Sequence, residues 1–243
     1  MRTWKDPKSP WGMKSYFADA EFEVMMDNLR AHVGSECFAE GQGIDVDLVL
    51  LRCFAVEADY VDLPPNTLGR TFFAPDGRVQ VQVSRYLAEL AEGDETARRR
   101  LRTTMAHECG HISCHRQFFI RDCETLSLFT DDRIAKSEPA ILCRNETVGK
   151  HAYKGEWWEF QANQCMAALL LPKELVVPRV VAALARCGQE SFEGAIREDR
   201  AEGILRELAN QFDVSVEATF YRLQDFGYIP AKTQAPLEFS DLM

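Results

Sequence analysis

Two histidines four residues apart, in the run His107-Glu108-Cys109-Gly110-His111, set the tightest condition on how this chain folds. On a helix they stand one above the other, so two imidazole nitrogens can converge on one metal ion with little chain entropy left to lose. Glu108 between them is placed to take a proton from an activated water, which is the chemistry of the H-E-x-x-H pattern in hydrolases. A polar helix can carry such letters by chance, but the flanks argue for a site. Asp94 can cap a helix whose basic first half runs into Met105, Ala106 and Ile112, and three of the chain's five histidines fall between positions 107 and 115. His115 continues the spacing, yet eight residues of helix rise about 12 Å, too far for it to share an ion with His107. It is read as a supporting or surface residue.

A catalytic zinc takes three protein ligands and keeps one position for water. No histidine follows at the H-E-x-x-H-x-x-G-x-x-H spacing, so the third ligand must come from elsewhere in the chain. Glu159, in Glu159-Phe-Gln-Ala-Asn163, is the best candidate, because Asn163 one turn on can steady a ligating histidine through its amide oxygen. Glu156 competes for the role, but three residues along a helix turn a side chain by about 60°, so both cannot point equally at one ion. Following Gly155, Glu156 has its own reason to sit at a helix N-terminus. The expected site is therefore Zn2+ on His107, His111 and Glu159, with Glu108 as general base. Tyr153, His115 and His151 are the candidates for stabilising an oxyanion.

With 243 residues and 46% hydrophobic content, the chain can bury a sizeable core, most simply one catalytic domain with an appendage. A net charge of −10 and a pI near 5.1 disfavour nucleic acid as a direct partner. Within 190–227, Arg197, Arg200, Arg206 and Arg222 face nine acidic residues, a balance that repels a duplex and argues against a DNA-binding regulator built on the C-terminal helices. The eight cysteines are scattered without a C-x-x-C pair, and the first residues lack an apolar leader, so reduced thiols in a cytoplasm are expected. Cys109 adjoins the expected base, and Cys123 and Cys143 flank a long polar stretch; redox sensitivity or a second metal is the lesser reading, and buried or idle thiols are the simpler one. The longest apolar run, Met166 to Leu171, is far short of the ~20 residues that span a bilayer.

The pattern along the chain divides it into an N-terminal arm and helix (1–35), a catalytic domain (36–172), a helical C-terminal part (173–230) and a loose tail (231–243). Within these, Tyr16–His32 reads as a helix after an extended arm, Val46–Phe54 as a helix, and Val56–Leu63, Thr71–Ala74 and Val79–Val83 as three strands of a small meander. Its edge offers a place for an extended peptide to add as a strand, and a purely scaffolding meander is an equal reading. Ser84–Glu92 and the metal helix follow, then an unassigned polar stretch over 116–156. Further helices are expected at Trp157–Leu171, Lys173–Arg186, Glu190–Phe212 and from Ser215 to Gly227.

The motifs also carry a family likeness. His107-Glu-Cys-Gly-His-Ile-Ser-Cys-His115, then Leu142-Cys-Arg144, then Glu159-Phe-Gln-Ala-Asn-Gln-Cys-Met-Ala-Ala-Leu-Leu-Leu-Pro172 resemble the ImmA/IrrE metallopeptidases, whose signature is H-E-x-G-H followed by E-x-x-A-N-x-F-A-A-x-L-L-M-P. The resemblance spans roughly residues 44–228, through Pro75-Asp-Gly-Arg-Val79 upstream and Leu208 to Ala218 downstream. Met166 stands where the family favours Phe, Leu171 where it favours Met, and the segment between the two motifs is long. The resemblance implies an α+β, zincin-like (gluzincin-type) core with a helix-turn-helix-like C-terminal part. It further implies a cytoplasmic zinc peptidase whose protein substrate is a helix-turn-helix repressor, with His107, His111 and Glu159 as metal ligands and Glu108 as base. A catalytically silent partner of such a regulator is the rival reading.

Overall fold

The computed structural model describes residues 2–7, 9, 12–35, 38, 43–74, 76–119, 156–188 and 195–230, together with the backbone of 140–144. Arg2–Lys5 (β1) and Met13–Tyr16 (β2) pair as an antiparallel hairpin that sets Thr3 opposite Ser15. The sequence predicts an extended arm here and a helix from Tyr16. That helix, α1 (Asp19–Val33), starts three residues later. Ala18 stays extended, and its N–H donates to the Glu21 carboxylate at 2.8 Å, which satisfies an amide that a helix start leaves open. Helix α2 (Val46–Phe54) is capped by Asp45, which accepts from Leu48 N–H at 3.0 Å.

Strands β3 (Ala58–Val61), β4 (Thr67–Phe73), β5 (Val79–Ser84) and β6 (Ala140–Arg144) form a sheet in the order β3-β5-β4-β6. Strands β4 and β5 make the hairpin that the alternation of valines and the Pro-Asp-Gly turn suggest, with Gly77 at φ +85°. The meander reading fails at β3, which runs parallel to β5 rather than antiparallel to β4. Strand β5 therefore lies between β3 and β4, with Val81 and Val83 wholly buried on its core face. The chain's own β6 pairs antiparallel along β4, so the edges of the sheet are β3 and β6.

Ser84 caps α3 (Arg85–Ala91), and Asp94 caps α4 (Glu95–His115), accepting from Ala97 N–H at 2.7 Å. Beyond α4 lie α5 (Trp157–Leu170), α6 (Lys173–Arg186), α7 (Glu198–Phe212) and α8 (Val216–Asp225). Helix α7 begins later than the expected Glu190, after Ile196 N–H bonds to the Tyr228 carbonyl at 2.7 Å; residues 189–194 lie outside the described set, as does the tail 231–243. Helix α4 runs through the centre, burying Met105, Ala106, Cys109, Ile112 and Cys114 in a hydrophobic cluster that reaches from Phe17 to Ile229.

Two polar ties hold the helical periphery to this core. Asp213, in the left-handed turn between α7 and α8, is gripped by Arg98, Arg99 and Arg102 of α4. Buried Arg222 of α8 donates to the Leu171 carbonyl at 2.9 Å and pairs with Glu23 of α1. Among the described residues, no helix is long and apolar enough to cross a membrane.

Candidate metal centre

Helix α4 presents His107 and His111 on one face, and α5 brings Glu159 to them. The three offer ligand atoms that all lie within 4.8 Å of one another. Glu159 Oε2 lies 3.2 Å from His107 Nε2, and Oε1 lies 3.5 Å from His111 Nε2. Both histidines are fully buried and Glu159 is nearly so. Glu156 takes no part: it is the exposed residue preceding the first turn of α5.

The close approach of the two helices follows from one residue. A Cβ at Gly110 would stand 2.6 Å from the Ala162 carbonyl oxygen and 2.9 Å from its Cα, so only a hydrogen there lets α5 come near enough to deliver its carboxylate. A second glycine makes room for Glu108. A Cβ at Gly69 of β4 would lie 2.7 Å from Glu108 Oε1. Two residues along the same strand face, Thr71 Oγ1 donates to Glu108 Oε2. Glu108 is thereby fixed in a fully buried position between α4 and the sheet.

Three further polar groups surround the histidines. His107 Nδ1 lies 3.0 Å from Asn163 Oδ1, and His111 Nδ1 lies 3.2 Å from His115 Nδ1. His115 Nε2 lies 3.2 Å from Gln161 Oε1. Of the two places expected for it, supporting or surface, His115 is fully buried and lies against His111. The other oxyanion candidates, His151 and Tyr153, lie outside the described residues.

Electrostatics separates the histidines. Burial pulls His107 down, but the hydrogen bond and charge of Glu159, helped by Glu108, leave its pKa above the ordinary value. His111 is driven well below it by burial and by neighbouring His107 and His115. His115 falls to about 3, through burial against the smaller opposing effect of its bond to Gln161. At neutral pH His111 is therefore an uncharged imidazole with a lone pair to give. Burial also pushes the thiols of Cys109 and Cys114 well up, so neither is a poised nucleophile. Cys114 instead lies against Cys165, the sulfurs 3.4 Å apart, beneath the site. Cys123 lies outside the described residues, and Cys143 sits in β6.

Sequence reasoning did not find Gly69, Thr71, Gln161 or Ser15. Thr71 and Gly69 share a strand face, a signal available in principle, but which face meets α4 depends on the register of the sheet. No family model matches the chain, and no curated protein matches it.

Proposed function

We propose that the chain is a zinc-dependent endopeptidase of the ImmA/IrrE type, and that it cuts a helix-turn-helix repressor to relieve repression. The observation that carries the reading is the convergence of His107, His111 and Glu159 beside a buried Glu108 on the same helix. His111 Nε2 is a buried nitrogen with no hydrogen-bond partner, the kind of atom whose desolvation is offset by a metal bond. Two imidazoles and a carboxylate suit zinc with one position left open.

Zinc bound there would supply a Lewis acid acting on water and on the substrate carbonyl. The rest is done by the chain. Asn163 Oδ1 accepts a hydrogen bond from His107 Nδ1–H, which leaves Nε2, on the side of Glu159, as the nitrogen that would give its proton up to bind a metal. The Glu108 carboxylate takes the proton of the attacking water and returns it to the leaving amine nitrogen. Thr71 holds that carboxylate through Oε2, so its orientation is set before substrate arrives.

The sheet packed on α4 supports a zincin-like core, and α7 and α8, joined through Asp213, Val214 and Ser215, support a helix-turn-helix-like C-terminal part. Free thiols at Cys53, Cys109, Cys114, Cys165 and Cys187 support a cytoplasmic setting. The repressor as substrate rests on the sequence resemblance alone. Co-expression of the chain with a repressor encoded beside it tests the reading: wild type should cleave, and Glu108→Gln should bind zinc without cleaving. Cleavage that persists in Glu108→Gln would exclude the mechanism.

A further inference from the structure

The N-terminal hairpin reaches the metal centre through a chain of polar atoms in which each has one possible role. It begins at the Ser15 carbonyl of β2, a group that only accepts. Gln161 of α5 faces this oxygen at 2.8 Å, so the atom there must be the amide nitrogen, and the amide oxygen is turned the other way. That oxygen meets Ser15 Oγ at 3.1 Å and His115 Nε2 at 3.2 Å. An amide oxygen cannot donate, so His115 carries its proton on Nε2. His115 is fully buried, where a charged imidazolium is strongly disfavoured, so its Nδ1 is a bare acceptor. His111 Nδ1, 3.2 Å away, must then be the protonated nitrogen of its own ring. The lone pair of His111 is left on Nε2, the atom 3.5 Å from Glu159 Oε1.

We infer that Gln161 and His115 are positioning residues that transmit the orientation of the Ser15 carbonyl to His111 and lock it in the tautomer able to bind metal through Nε2. The hairpin is thereby part of the metal centre, although it offers no ligand. Its pairing of Ser15 with Thr3 holds the carbonyl, and the Trp157 ring, edge-on to His115 with centroids 5.5 Å apart, holds the imidazole plane. The inference rests on the reading of His111 as a ligand, but the tautomers it assigns do not require a metal to be present.

That independence gives the test. Long-range 1H–15N spectra of the metal-free full chain should show His111 protonated at Nδ1 and His115 at Nε2. A His111 protonated at Nε2 would overturn the inference. Zinc affinity, measured by chelator competition, should fall about 10–100-fold in His115→Leu, the range typical when a partner of a ligating histidine is removed. In His115→Asn it should stay close to wild type, because Asn Oδ1 can stand where the imidazole Nδ1 stood and accept the same proton. Equal loss in both variants, or loss in neither, would contradict the relay. Should His115→Leu fail to fold, the tautomer spectra decide alone. Undiminished zinc binding in His111→Ala would instead remove the metal reading and leave the tautomer assignment to be judged by the spectra.

Discussion

Gly110 of α4 and Ala162 of α5 approach so closely that a single added methyl group would stand 2.6 Å from a carbonyl oxygen. The contact lies between the two histidines on one side and next to Asn163 on the other, so it sets the distance from Glu159 to both imidazoles. Gly110→Ala should force the helices apart, lowering unfolding stability by about 1–3 kcal/mol, the usual cost of overpacking a core. Zinc affinity should fall with it. Denaturant unfolding and chelator competition on the same variant check both halves; unchanged stability would mean that the helices have slack.

Glu159 and Glu156 make a paired comparison. Glu159 lies between the histidines, whereas Glu156 is an exposed residue at the start of α5. Glu159→Gln should weaken zinc binding strongly and abolish peptidase activity, with Glu156→Gln mild on both counts. The reverse order in a chelator competition would shift the register of the helix and remove the ligand assignment.

How much of this could be read from the chain depended on range in sequence. His107 with His111, and Glu159 with Asn163, are each one helical turn apart, so helix geometry alone places them on a common face. The β4–β5 hairpin was legible for the same reason, since alternating valines and a Pro-Asp-Gly turn are local signals. The parallel pairing of β3 with β5 skips a strand, and nothing in Ala58–Val61 names its partner. Nothing local singles out Ser15, because its partner Gln161 lies 146 residues away in the chain. His115 is excluded as a ligand by its distance from His107, which leaves its role, supporting or surface, open in the sequence. Its value lies in what it accepts from His111, a relation visible only once α5 has delivered Gln161.

Asp213 should give the chain an acid-sensitive tie. Burial alone would raise its pKa, but Arg102, Arg98 and Arg99 outweigh that and hold the folded value below the ordinary 3.8. The stabilisation is full above the unfolded value and is lost as pH falls through the lower folded one. Asp213→Asn keeps the shape and suits the left-handed turn, so it removes little beyond the charge. The variant should lose about 2 kcal/mol at neutral pH, the order found for hydrogen bonds to charged groups. The difference from wild type should shrink as urea unfolding is repeated toward pH 3. A gap that does not change with pH would show that the charge contributes nothing.

The acidic C-terminal helices should keep the full chain off duplex DNA at physiological salt, since cation release from phosphates drives such binding and few cations are offered. Arg222, one of the four arginines between 190 and 227, is moreover buried against Glu23. Sub-micromolar, salt-dependent binding to random duplex in an anisotropy titration would overturn this expectation.

Metal content tests the central claim most directly. Protein purified without chelators should carry about one zinc per chain, because three converging ligands and one open position favour that ion. His111→Ala, folded as judged by circular dichroism, should carry essentially none. Wild-type protein that stays metal-free after incubation with zinc, or a His111→Ala variant that retains a full equivalent, would contradict the account.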